Sequence, residues 1–89
     1  MIQFVDDDKG YVAWLEANAG GYVINSYRTP TLSYLMLHKA TCQHLKTESR
    51  SNWTRDYRKT CSTDADELRR WARTAVGGNA SECADCMCA

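Results

Sequence analysis

Along this chain the spacing of apolar positions changes twice. Tyr11, Trp14 and Leu15 recur at i, i+3 and i+4 behind the triplet Asp6-Asp7-Asp8. That spacing lays an apolar stripe on one helical face, and the triplet offers an N-cap and favourable charge at the helix start. Gly20-Gly21 stops the helix. The segments "YVINSY" (22–27) and "SYLMLH" (33–38) are rich in β-branched and aromatic residues and predict two strands. The short connection "RTPT" between them, with the only proline, predicts that they pair as a hairpin. "ATCQHLK" predicts a helical turn, residues 47–54 a polar loop, and "DYRKTC" a third strand.

A second helix follows. Asp64 and Glu67 have the spacing of a capping box. Ala65, Leu68, Ala72, Ala75 and Val76 repeat at helical intervals with Trp71 beside them, Arg69, Arg70 and Arg73 take the other face, and Gly77-Gly78 ends the run. The order of elements predicts an α+β fold. A small antiparallel sheet of two or three strands carries an N-terminal and a C-terminal helix, all in one domain over residues 1–89.

Composition narrows this picture. With 89 residues the chain can bury only a modest core, so an added staple is expected. No apolar run approaches spanning length, and "MIQFV" leads directly into three aspartates rather than a secretory leader. The expectation is a cytoplasmic protein without membrane contact, in a reducing compartment where disulfides are rare. Five cysteines are also an odd number, which a pure disulfide framework cannot use up. The formal net charge is zero, yet residues 28–73 hold ten Lys/Arg against five Asp/Glu. A basic middle of this kind is either an ordinary mixed surface or a face for phosphates.

The chemistry gathers in two close pairs. His38 and Cys42 are four apart, and Cys83 and Cys86 are three apart in the tail "NASECADCMCA". A tetrahedral zinc site takes four nitrogen or sulfur ligands, and each pair can preform half of it. Residues four apart in an extended strand are separated by about 13 Å, too far to share one ion. The chain therefore has to turn at Lys39-Ala40-Thr41 or enter a helix, and Cys83 and Cys86 need a tight turn over Ala84-Asp85. The reading is one structural Zn2+ on His38, Cys42, Cys83 and Cys86. Cys61 is either a buried small side chain or a replacement for His38. Cys88 is a spare thiol or a competitor of Cys86, and His44 is read as a surface residue.

The run from "YLMLHKATC" through "KTCSTDADELRRWA" to "GGNASECADC" resembles a recurring small bacterial zinc-binding pattern. In that pattern H-x-x-x-C at a strand end is followed by a strand, a helix, a glycine and a closing C-x-x-C. It is similar to the metal-binding modules related to the Ada DNA-repair protein, to modules appended to nucleases, and to uncharacterised bacterial proteins with "GYVIN" and "YLMLH" segments. The likeness covers roughly residues 20–86 and implies metal ligands at His38, Cys42, Cys83 and Cys86. Through the company such modules keep, it also points to association with nucleic acid. The tail departs from the nuclease-attached modules, which carry a proline or arginine near the last pair where this chain has Met87-Cys88.

Four good ligands argue for a closed structural site, since a catalytic zinc keeps one position for water. The glutamate pattern of zinc deaminases is absent around His38, as are a Ser-His-Asp signature and a phosphate-cradling glycine loop. No enzyme activity is expected. The expected role is a nucleic-acid-associated module in which Arg50, Arg55, Arg58, Lys59, Arg69, Arg70 and Arg73 track phosphates, with Trp53 and Tyr57 as stacking faces. The alternatives are a protein–protein interaction module, and an alkyl acceptor or redox sensor using Cys42, Cys86 or Cys88.

Overall fold

The computed structural model describes residues 1–45 and 52–85. It is an α+β fold built on one five-stranded mixed sheet. The strands are β1 (Ile2–Phe4), β2 (Tyr22–Tyr27), β3 (Leu35–Lys39), β4 (Tyr57–Ser62) and β5 (Ser81–Glu82), in the spatial order β1-β4-β2-β3-β5. Helix α1 spans Asp8–Ala17, and α2 spans Ala65–Trp71 and widens into a π-type turn over Ala72–Val76. The predicted hairpin of β2 and β3 is present, and all pairings are antiparallel except that of β5 with β3.

The sheet is larger than the two or three strands read from the sequence. β1 and β5 are three and two residues long, too short to display an alternating pattern. Each exists because a longer strand offers it hydrogen bonds, β4 to the first and β3 to the second. Such pairing is a non-local term that local propensity does not contain.

Successive side chains of a strand point to opposite faces of the sheet. Val23 sits opposite both His38 and Cys61, so these three share one face, where Phe4, Tyr11 and Leu15 complete a buried cluster. Ile24 and Leu37 share the other face and pack with Leu35, Leu68 and Ala72 from the second helix. Each helix thus covers its own side of the sheet.

The three aspartates divide their work. Asp7 caps α1 by accepting from Gly10 N–H at 2.8 Å, while Asp6 pairs with Arg28 at 2.6 Å. Asp8 accepts from Trp53 N–H, Thr54 N–H and the Thr54 hydroxyl at 3.1, 2.8 and 2.7 Å, tying the chain ahead of β4 to the helix start. The capping box of α2 is only half formed. Asp64 caps Asp66 N–H at 2.9 Å, but the Glu67 carboxylate turns to the Ser62 hydroxyl at 2.8 Å and the N-terminal amine at 3.0 Å. Ala75, expected on the apolar stripe, is exposed, because the wider turn breaks the 3.6-residue phase. Gly77 ends the helix at φ 99°, and its N–H donates to the Ala72 carbonyl at 2.9 Å.

Candidate metal centre

His38 is the fourth residue of β3, and its side chain falls on the face covered by α1. The chain then reverses: Ala40 N–H donates to the Gly21 carbonyl and Cys42 N–H to the Lys39 carbonyl, both at 2.9 Å. This is the turn that the His38–Cys42 spacing demands. A 3-10 turn over Gln43–Leu45 follows and presents His44. Cys83 comes from the other end of the chain. It extends the β5–β3 ladder by donating its N–H to the Leu37 carbonyl at 2.9 Å, which sets it beside His38.

One ligand atom from each of His38, Cys42, His44 and Cys83 lies within 4.8 Å of the other three. These four residues can hold a metal ion. The two sulfurs are 3.9 Å apart, and Cys83 Sγ is 3.7 Å from His44 Nδ1. The two imidazoles stand edge to face with centroids 6.3 Å apart. His38, Cys42 and Cys83 are buried, whereas His44 forms the exposed side of the cluster. Its far nitrogen, Nε2, is 3.0 Å from Asp85 Oδ2. A cleft of about 410 Å3 borders the cluster and is lined by His38, His44 and Cys83 together with Tyr34 and Met36.

The electrostatics suit ligation. Burial, reinforced by the Lys59 ammonium and by His44, pushes the His38 imidazole down to about 4. It is therefore uncharged at neutral pH, the form that binds a metal.

Three of the four residues proposed from spacing, His38, Cys42 and Cys83, come together here. Cys86, like Cys88, lies outside the described residues. Cys61 does not replace His38. Val23 of β2 stands between them in the register, which separates their strands by about 10 Å. Cys61 is fully buried, and burial pushes its thiol up to about 12. Sequence reasoning missed His44. The signal is present in H-x-x-x-C-x-H, where the second histidine follows Cys42 by two residues inside a tight turn.

The basic residues proposed for phosphates meet different fates. Arg50 lies outside the described residues. Lys59 is only 4% exposed, and its ammonium donates to Asn25 Oδ1 at 2.6 Å and sits over the rings of Tyr11 and Tyr57. Arg58 donates to the Gln3 side chain and to the Arg28 carbonyl, and Arg69 pairs with Asp66 and Glu82. Arg55, Arg70 and Arg73 are exposed.

Fold and cluster together define an α+β protein with a His/Cys centre able to hold a metal ion. No protein-family model, no curated protein and no solved structure matches the chain. Among the described residues no helix is long and apolar enough to cross a membrane.

Proposed function

We propose that this chain is a small zinc-binding module whose single ion is structural, held by His38, Cys42, His44 and Cys83. The observation that carries the reading is the spacing of the ligand atoms. Zinc bonds of about 2.3 Å to sulfur and about 2.0 Å to nitrogen, arranged as a tetrahedron, put two sulfurs about 3.8 Å apart and a sulfur about 3.5 Å from a nitrogen. The observed separations are 3.9 and 3.7 Å. Two thiolates and two imidazoles in this shape suit zinc better than magnesium or calcium, which prefer oxygen, or cupric copper, which prefers a tetragonal arrangement. Four protein ligands fill the tetrahedron and favour a structural over a catalytic role. A reducing, cytoplasmic compartment would keep the thiols available for ligation. The set proposed from spacing, with Cys86 in the fourth position, differs from this one by a sulfur in place of a nitrogen. Native mass spectrometry with and without chelator tests the reading. One zinc per chain, lost on chelation, is expected, and a metal-free chain purified with zinc present would overturn it.

A second reading, association with single-stranded nucleic acid, is favoured by one feature. Tyr27, Tyr34 and Tyr57 form a cluster with ring centroids 5.5–6.0 Å apart. Arg28 and Arg58 directly follow two of these tyrosines, and Arg28 donates to the Arg55 carbonyl. Bases stack on such rings at about 1–3 kcal/mol each, with arginines tracking the phosphates. Binding of a fluorescent mixed-sequence oligonucleotide should weaken with added salt and with Tyr27→Ala. Binding indifferent to both would remove the reading, and a co-purified protein in place of nucleic acid would favour a protein-interaction module.

A further inference from the structure

We infer that Asp85 is a positioning residue for the metal centre: it holds the Nε2 side of His44 so that Nδ1 faces the ion. The inference rests on the zinc reading above and adds the group that aims one of its ligands. The His44 ring is gripped from both sides by one short stretch of chain. Cys83 Sγ lies 3.7 Å from Nδ1, and Asp85 Oδ2 lies 3.0 Å from Nε2. An imidazole that ligates through Nδ1 must carry its proton on Nε2, and a carboxylate there accepts that proton's hydrogen bond. The hydrogen bond fixes the tautomer, restrains ring rotation and makes Nδ1 a better electron donor.

His44 needs such help more than its companions. The other three ligand residues are buried and carried by β3, by the turn that follows it, or by the β5 ladder. His44 projects from a three-residue 3-10 turn, and its side chain is 46% exposed. A ring exposed to this extent has less packing around it than the three buried ligand side chains. The Asp85 carboxylate is itself 59% exposed, and a surface pair of this kind adds little to folding on its own. Its geometry has a use when the opposite ring nitrogen binds a metal. The C-A-D-C segment thereby supplies both a ligand, Cys83, and the carboxylate that orients its neighbour.

The test compares the wild-type chain with Asp85→Ala, Asp85→Glu and His44→Ala, each titrated with Zn2+ against a chromophoric chelator and with Co2+ by visible absorption. Asp85→Ala should weaken zinc binding about 10- to 100-fold. It should keep the tetrahedral cobalt bands and thiolate charge-transfer intensity of the wild type, because all four ligands remain. Asp85→Glu should regain part of the affinity. His44→Ala should alter the cobalt spectrum itself. Without metal, wild type and Asp85→Ala should melt at the same temperature, which separates positioning from a folding defect. If the wild type binds one metal tightly and Asp85→Ala binds within twofold of it, Asp85 is an incidental surface partner and the inference falls. A wild-type chain that binds neither metal removes the zinc reading as well.

Discussion

Removing the Cys83 thiol should release the C-terminal segment and cost the fold a quantity that the structure bounds. Without an ion, β5 is a two-residue parallel strand held to β3, with Arg69 reaching Glu82 at 3.1 Å and Cys83 N–H reaching Leu37. With an ion, the Cys42 and Cys83 sulfurs close a chain loop of roughly 40 residues. A cross-link over such a loop removes about 4 kcal/mol of unfolded-state entropy. For a domain near this size each kcal/mol shifts the melting temperature by about 4–8 °C, so the closure alone corresponds to roughly 20 °C. The ligand bonds themselves add to this figure. The assay is thermal unfolding followed by circular dichroism for wild type and Cys83→Ala, each with zinc and with chelator. Wild type with zinc should melt about 20 °C or more above the other three samples. Those three should agree to within the roughly 1 kcal/mol that a small buried side chain contributes. A wild-type melting point that moves by less than 3–4 °C on chelation would mean, at about 4–8 °C per kcal/mol, that any cross-link stabilises by less than 1 kcal/mol, and a metal-closed loop between Cys42 and Cys83 would be ruled out.

Three further outcomes follow from the packing. Cys61→Ala should leave one zinc per chain while destabilising by about 1–2 kcal/mol; because burial pushes its thiol up to about 12, Cys61 of the folded wild type should resist alkylation at pH 8 and react once unfolded, as peptide mapping would show. Burial works to raise the Asp8 carboxyl, but hydrogen bonds from Thr54 and from the Trp53 and Asn52 backbone outweigh it and hold the group below its ordinary value. A carboxyl lowered in the folded state stabilises above its unfolded value near pH 4, and that stability is lost as pH falls through the folded value. Asp8→Ala should therefore cost about 1–2 kcal/mol at pH 7 and show a shallower loss of stability below about pH 4 in urea titrations; equal pH slopes would contradict this. Gly77→Ala should cost about 1–2 kcal/mol in the same titrations, because φ is 99° there while no atom within 4 Å would obstruct a Cβ; an unchanged midpoint would contradict it.

The elements that the amino-acid pattern exposes are those whose signal is local. The apolar face of α1, the β-branched run of β2 and the Asp64 cap all carry their information within one turn or strand, and each appears where expected. β1 and β5 are defined by partners about 57 and 45 residues away in the chain, which no short window contains. Three members of the cluster are legible for a related reason. His38 and Cys42 have a spacing that forces a turn, and Cys83 stands in a tight turn motif of its own. His44 was not legible, because a histidine two residues after a cysteine joins it only if the backbone tightens to a 3-10 turn. Lys59, proposed for phosphates, lies on the face shared with Val23 and Cys61 and is buried against Tyr11. Its apolar stem lets it enter a core that a charge count along the chain does not reveal.

Two thiolates and two imidazoles, from His38, Cys42, His44 and Cys83, are proposed to hold one zinc ion. X-ray absorption at the zinc edge of the purified, metal-loaded chain measures that ligand set directly. Two sulfur neighbours at about 2.3 Å and two nitrogen neighbours at about 2.0–2.1 Å are expected, with the outer-shell scattering of two imidazole rings. A shell of three sulfurs and one nitrogen would put a further cysteine in place of His44, and a shell dominated by oxygen would contradict the site altogether.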